Sequence, residues 1–151
     1  MFFRCGGEFE PDYKIDTIKW KVNRHMIEIS TPNAPSPAGH YSQAIVHGDM
    51  VYVSGQLPID PHTGVKLVGS IEEQTEQALQ NLAGILAAAN SDLDQVVKTT
   101  VYISDIALWE RVNTVYAKFF GAHRPARAVV PTKELHFGFQ IEIEAIATLR
   151  K

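Results

Sequence analysis

The sequence predicts an α+β fold in which two helices pack on one face of a mixed β-sheet. Runs rich in β-branched residues alternate with two segments whose apolar residues recur at helical spacing, in the order hairpin, helix, strand, helix, strand, strand. The chain has 151 residues, of which 45% are hydrophobic and 21% are charged. This length and composition are sufficient for one globular domain with its own core.

The first two predicted strands form a hairpin. Residues 41–46 and 50–54 are β-like runs, and the His47-Gly48-Asp49 segment between them has the chemistry of a tight turn. Gly48 is the residue expected to adopt a positive φ there. The hairpin therefore begins the ordered part of the predicted sheet.

Local signals delimit two helices. Ser70 and Glu73 have the spacing of a capping box, which predicts the start of the first helix, and Asn90 is expected to end it in the left-handed region. The second helix is predicted to begin near Asp105 and to end at Gly121.

The last predicted strand indicates what each face of the sheet contacts. Further strands are predicted over residues 96–103, 126–130 and 140–149. Alternation along the last one places four apolar or small residues on one face and Glu142, Glu144 and Ile146 on the other. Helices on one face leave the other face to solvent or to a partner. Because this face mixes carboxylates with isoleucine, the sequence predicts a homo-oligomer.

Composition argues against several classes of protein. A net charge of −3 is not the electrostatic footprint of a nucleic-acid-binding domain, and no apolar run reaches the ~18 residues of a membrane span. Cys5 is the only cysteine, which favours a reducing compartment, and the acid-containing N-terminus does not resemble a targeting sequence. We therefore expect a cytoplasmic protein. None of the six histidines form a helical i, i+4 pair, so no metal site is expected.

Residues 1–28 are interpreted as an N-terminal extension and residues 29–151 as the domain. Lys19, Lys21 and Arg24 form a small basic cluster in the extension, which fits a solvated tail or short edge strand better than a binding site. Met26 is a candidate alternative start, because the compositionally regular part of the chain begins just after it.

Two charged residues on predicted strands are candidates for chemistry. Arg127 stands inside an apolar run, where burial of a guanidinium is costly unless an anion meets it. It is either the ion-pair partner of Glu142 or Glu144, or a bidentate clamp for a substrate carboxylate. Glu142 is either a solvated or paired acid, or a general base. Tyr41 and Ser54, at the ends of the predicted hairpin, are pocket candidates or ordinary residues at the core edge.

Five segments, in chain order, resemble the signature segments of the RidA/YjgF family of reactive intermediate deaminases, also described as endoribonuclease L-PSP: residues 39–44, 54–58, 112–120, 124–127 and 141–147. The resemblance implies a chorismate-mutase-like α+β fold and a homotrimer with clefts between subunits. It also implies hydrolysis of enamine and imine intermediates, such as 2-aminoacrylate and 2-iminobutanoate, to 2-keto acids and ammonia. No cofactor is implied, because a protonated imine carbon is already electrophilic.

The resemblance also implies roles for individual residues. Arg127 matches the arginine that grips the substrate carboxylate, and Glu142 matches the acid that positions the hydrolytic water. The further substrate-binding residues that it implies are Tyr41, Ser54, Gly55, Asn113 and, through its backbone N–H, Val129.

The chain departs from the family pattern at three places. His40 replaces the usual proline before Tyr41, and Val129 replaces a cysteine that many relatives carry. Residues 135–139, Leu-His-Phe-Gly-Phe, replace the usual turn containing Leu-Pro and bring two aromatic rings and a histidine near the expected pocket. The physiological substrate is therefore left open by the sequence.

Two alternative functions remain beside the deaminase. Some relatives are described as single-strand endoribonucleases, although the negative net charge argues against a nucleic-acid partner. The other alternative is a trimer that binds small acids through the same arginine without catalysing a reaction.

Overall fold

The computed structural model describes residues 26–151, and in this part of the chain the predicted α+β architecture is confirmed. The strands are β1 Ile27–Ile29, β2 Ala44–His47, β3 Met50–Gln56, β4 Val96–Ile103, β5 Ala126–Pro131 and β6 Ile141–Thr148. The helices are α1 Ile71–Ala88 and α2 Trp109–Phe120. Neither helix has the length and apolarity needed to cross a membrane. The basic cluster of the predicted extension and Cys5 lie outside the described residues.

The six strands form one mixed sheet in the order β1-β2-β3-β6-β4-β5. Strands β4 and β5 are parallel, and all other neighbours are antiparallel. The connections β3-α1-β4 and β4-α2-β5 therefore cross the sheet in the same direction. Because such crossovers are almost always right-handed, both helices come to lie on the same face.

The core lies between this helical layer and the sheet. Strand β6, which occupies an inner position of the sheet, buries Ile141, Ile143, Ala145 and Ala147 against the helices. Glu142, Glu144 and Ile146 of β6 are only half-buried on the other face, as the alternation predicts. From α1, the core receives Leu79, Leu82, Ile85 and Leu86, all at 0% exposure. Burial of each such side chain contributes roughly 1.5–3 kcal/mol, so the sheet's helical face supplies most of the fold's stability.

The predicted helix ends are confirmed for α1. The Glu73 side chain accepts from the Ser70 backbone N–H at 2.8 Å, and Ser70 Oγ accepts from the Glu73 N–H at 3.3 Å. Asn90, with φ 58°, follows α1, and Gly121, with φ 56°, follows α2. The predicted start of α2 is wrong by about one turn, because Asp105 caps a short 3₁₀ turn and the α-helix begins at Trp109.

The region before β2 differs from the predicted strand over residues 41–46. Residues 41–43 are a loop, since the buried Gln43 side chain bonds to four backbone groups of residues 31–35. Strand β1, which was not predicted, pairs antiparallel with β2. It begins before the predicted domain boundary at residue 29, and the boundary itself stays a prediction.

Candidate active site

A cleft of about 630 Å³ lies on the sheet face that the helices do not cover. Four segments build it: the loop before β2, the end of β3 with the residues after it, the turn that precedes β6, and β6 itself. Four of the predicted site residues line this cleft, namely Tyr41, Ser54, Gly55 and Glu142. Within residues 26–151, no three His, Cys, Asp or Glu side chains are grouped as metal ligands.

Gly55 and Glu142 are in close contact at the cleft. The register of β3 against β6 shifts between Val53 and Gln56, which is the signature of a β-bulge. At this bulge, a Cβ atom on residue 55 would lie 2.8 Å from the Glu142 Cδ and closer still to its carboxylate oxygen. Only glycine therefore allows the Glu142 carboxylate to keep its position.

The electrostatic surroundings of Glu142 favour its neutral form. Burial raises the pKa of Glu142 above its ordinary value of 4.5, and the neighbouring Glu144 carboxylate raises it further. His136 at the edge of the cleft acts in the opposite direction. A carboxyl group whose pKa is raised toward neutral pH exchanges protons with a reacting water molecule more effectively than an exposed carboxyl group does.

Tyr41 and Ser54 are held in the cleft by backbone contacts. The Tyr41 hydroxyl accepts from the Ala38 N–H at 3.3 Å, while about half of the side chain (53%) is exposed. Ser54 Oγ donates to the Ser42 carbonyl at 2.7 Å. Both side chains are thereby oriented by the loop before β2, and the Tyr41 ring remains accessible to a ligand.

Arg127 occupies a separate site, beside α2. Its Nη2 donates to Asn113 Oδ1 at 2.9 Å, and its guanidinium carbon lies 4.6 Å from the centre of the Tyr116 ring and 5.8 Å from that of Trp109. Trp109, Asn113 and Tyr116 are spaced i, i+4 and i+7, so that one face of α2 supplies the whole cradle. The two aromatic residues were not predicted, although this spacing was a signal that could have found them.

The alternative of an ion pair between Arg127 and Glu142 or Glu144 is not realised in the described chain. Ion pairs within residues 26–151 join Arg111 to Glu72 and Arg150 to Asp92 instead. The partners of Arg127 are an amide oxygen and two aromatic rings, which neutralise no charge. The guanidinium is therefore still able to bind an anion.

Strand register explains why the charges stay apart. Arg127 is paired with Thr99, whose hydroxyl bonds to the Tyr116 hydroxyl at 2.8 Å on the helical face, whereas Glu142 is paired with Tyr102. Residues 99 and 102 of one strand point to opposite faces. Val129, two residues after Arg127, also lies on the helical face and packs against the core. One chain thus brings Arg127 and Asn113 together, and separately Tyr41, Ser54, Gly55 and Glu142.

Glu144 and Leu57 are among the lining residues that sequence reasoning did not assign to the site. Glu144 lines the cleft beside Glu142 and is contacted by the Tyr102 hydroxyl at 3.4 Å. Leu57 adds apolar surface directly after β3. The i, i+2 spacing of the two glutamates on one strand was the available signal for Glu144.

Comparisons with known proteins agree with this architecture. Residues 31–149 match the family described as Endoribonuclease L-PSP. The chain is 44% identical over 119 residues to the human 2-iminobutanoate/2-iminopropanoate deaminase, a match that covers 79% of this chain and 87% of the human one. Reactive Intermediate Deaminase A, chloroplastic, of Arabidopsis thaliana is 46% identical over 147 residues, covering 97% of this chain and 78% of the relative.

Solved structures give the same assignment. RidA from the Antarctic bacterium Psychrobacter sp. PAMC 21119 superposes with a TM-score of 0.78 at 37% identity, and the match covers 82% of this chain and 99% of the relative. The E. coli TdcF structure with bound serine has a TM-score of 0.78 at 35% identity, with the same coverage. The chain therefore belongs to the Endoribonuclease L-PSP family, to which the RidA deaminases belong, and the predicted RidA/YjgF resemblance is confirmed.

Proposed function

We propose that this protein hydrolyses 2-imino acids and their enamine tautomers, such as 2-aminoacrylate and 2-iminobutanoate, to 2-keto acids and ammonia. The observation that carries the proposal is the Glu142 carboxylate, half-buried in a cleft and paired with no lysine or arginine of residues 26–151. Such a group is available to activate water. Two relatives with at least 44% identity are named as deaminases of this type.

The first step adds water to the imine, whose nitrogen is protonated. Glu142 removes a proton from the water molecule while the water oxygen attacks the C=N carbon, and the π electrons of that bond move to nitrogen. The product is a carbinolamine. An enamine substrate first takes a proton on its terminal carbon, which converts it to the imine.

The second step releases ammonia. The protonated Glu142 returns its proton to the nitrogen, the C–N bond breaks, and the C=O bond forms as the hydroxyl proton leaves to the carboxylate. The released ammonia then takes this proton from Glu142, which regenerates the carboxylate. Over both steps, one protonated imine and one water give one 2-keto acid and one ammonium ion. No oxidant, reductant or cofactor enters this balance.

We further propose that the carboxylate clamp comes from a second copy of the chain. Arg127 and Glu142 lie on opposite faces of one sheet and cannot contact the same small substrate. A head-to-tail ring of identical subunits places the Arg127 side of one copy against the cleft of the next. A homotrimer closes such a ring and contains three sites.

The test combines two variants that each lack one group. The substrate is 2-aminoacrylate generated in the assay, and its loss is measured with Arg127→Ala, with Glu142→Gln, and with the two refolded together. We expect each variant alone to be inactive and the mixture to recover about a quarter of the wild-type activity, because random pairing restores both groups in about one interface of four. No recovery in a mixture that forms mixed oligomers would exclude a shared site.

The alternatives make different predictions in the same assay. A small-acid-binding trimer without catalysis would bind 2-keto acids through Arg127 but would not accelerate imine loss. A ribonuclease is disfavoured because Glu142 and Glu144 would repel a phosphodiester in the cleft. We also keep the cytoplasm as the proposed location, which imaging of the full-length chain fused to a fluorescent protein would test.

A further inference from the structure

In the turn between β5 and β6, the aromatic residue Phe137 adopts a left-handed backbone conformation, which is unfavourable for a bulky side chain. Phe137 has φ 60° and is followed by Gly138 with φ 75°. A positive φ is rare for a bulky residue and persists where the surroundings over-determine it. The turn contains the His-Phe-Gly-Phe residues at which the sequence departs from the family pattern.

Three contacts fix the Phe137 ring. The Lys66 ammonium lies 3.9 Å from the ring centre, and the rings of His136 and Phe139 meet it edge-on at centroid distances of 4.3 and 5.9 Å. Phe139 is itself only 1% exposed and anchors the arrangement to the core. Despite these contacts, 47% of Phe137 is exposed.

The exposed part of Phe137 lines the cleft that contains Glu142. Leu57 and Ile59 line the same cleft, so that apolar surface is available to a ligand there. The carboxylates of Glu142 and Glu144 also line the cleft, whereas Lys66 does not. A ligand in the cleft therefore meets the Phe137 ring and the carboxylates of Glu142 and Glu144, with the His136 imidazole also in the lining.

We propose that Phe137 determines substrate preference, and that the site selects 2-imino acids with a bulky apolar or aromatic side chain over those with an acidic side chain. This inference rests on the proposed deaminase function. An apolar side chain covers the exposed ring and gains from its removal from water. A second carboxylate on the substrate is repelled by Glu144.

In the single chain, the cleft has room for a bulky apolar or aromatic side chain of this kind. Its volume of about 630 Å³ lies within the range of ~300–1,000 Å³ typical of pockets for drug-sized ligands. The reaction class that supplies substrates of the preferred kind is the oxidation of apolar amino acids to 2-imino acids. An amino-acid oxidase therefore provides the probes for a test.

The experiment compares imines generated in the assay from phenylalanine, alanine and glutamate by an amino-acid oxidase, with a trapping reagent to quantify the imine that escapes hydrolysis. The variant is Phe137→Asn, because asparagine accepts a positive φ but removes the ring. We expect the ratio of kcat/KM for the phenylalanine imine over the alanine imine to fall about tenfold, the lower end for loss of an apolar contact. The glutamate imine should be the poorest substrate of the wild-type protein.

Val68→Asn is the matched control, since Val68 is 64% exposed and does not line the cleft. The ratio should be the same in Val68→Asn and in the wild-type protein. The melting temperature of Phe137→Asn should stay close to that of the wild-type protein, because the better-accepted positive φ offsets the lost ring contacts.

The experiment distinguishes failure of the Phe137 inference from failure of the proposed deaminase function. If Phe137→Asn folds and keeps the wild-type ratio, or if the glutamate imine is the preferred substrate, the inference is wrong while the deaminase function stands. If the wild-type protein accelerates hydrolysis of none of the three imines, the proposed function fails and the inference fails with it.

Discussion

The Arg127 cradle and the Glu142 cleft are both built on one sheet, but in different ways. The cradle uses helical periodicity, because three residues on one face of α2 surround the guanidinium. The cleft uses a β-bulge and irregular segments that come together from distant parts of the chain. The positive group is thus held by a rigid element, and the negative group depends on a close backbone approach. We therefore expect mutations in the Arg127 cradle and in the Glu142 cleft to have different effects.

The largest effect is expected from Arg127→Ala. Two charge-assisted hydrogen bonds to a substrate carboxylate, each worth ~1.5–3 kcal/mol, correspond to a loss of about 10²–10⁴ in kcat/KM. Arg127→Lys should not restore activity, because a lysine offers no planar fork and does not stack on Tyr116 in the same way. Steady-state kinetics with 2-aminoacrylate would measure the loss. Near-normal activity in Arg127→Ala would show that the cradle does not serve the reaction.

Glu142→Gln is expected to lower kcat by about 10²–10⁴, the usual span for general acid–base catalysis. Binding of a 2-keto acid should be retained, because the amide keeps the size of the carboxylate. The contrast with Arg127→Ala, which loses binding, separates the two halves of the site. Calorimetric titration of both variants with the same keto acid would measure it, and an unchanged kcat at saturating substrate would rule out the general-base role.

Gly55→Ala is expected to have a smaller effect on rate and to act only on the cleft. The new Cβ would displace the Glu142 carboxylate, since it would lie 2.8 Å from Cδ. A displacement of a catalytic group by about 1 Å costs on the order of 10²-fold in rate.

Gly48→Ala is the control, because no atom lies within 4 Å of a Cβ there although φ is +60°. It should lower the melting temperature without lowering kcat. If both alanine variants lower kcat equally, the Gly55 contact has no special role.

The fold could be predicted from the sequence where its determinants are local. The capping pair Ser70 and Glu73, the alternation in β6 and the left-handed Asn90 each depend on neighbours within four residues. Strand β1 could not be predicted, because three residues carry little periodicity and its stability comes from pairing with β2. The loop at residues 41–43 was mistaken for strand because Gln43 bonds to backbone about ten positions earlier.

The geometry of the candidate site also depends on contacts between distant parts of the chain, which local sequence patterns do not predict. Arg127 and Glu142 stand out in the sequence as charges on apolar strands, but their separation on opposite faces depends on the order β6-β4-β5. That order results from two crossovers and no local pattern encodes it. The Gly55 bulge likewise requires the register of β3 against β6, which only the assembled sheet defines.

The smallest predicted effect concerns the pH dependence of the cleft. As a general base, Glu142 must be ionised, and burial together with Glu144 raises its pKa above 4.5. The kcat/KM of the wild-type protein should therefore fall on the acid side with a midpoint above 4.5. The acid limb is therefore expected to report the cleft and not the cradle.

Two substitutions should move this midpoint in opposite directions. Glu144→Gln removes the charge that raises the pKa of Glu142, so the acid limb should move to lower pH. His136→Gln removes the group that lowers this pKa, so the limb should move to higher pH. Each movement should be less than about one pH unit, as expected for charges near solvent. Profiles of kcat/KM against pH for both variants and for the wild-type protein would provide the test. Movement of both midpoints in the same direction would mean that another group controls the acid limb, and Glu142 would lose its assignment as the base.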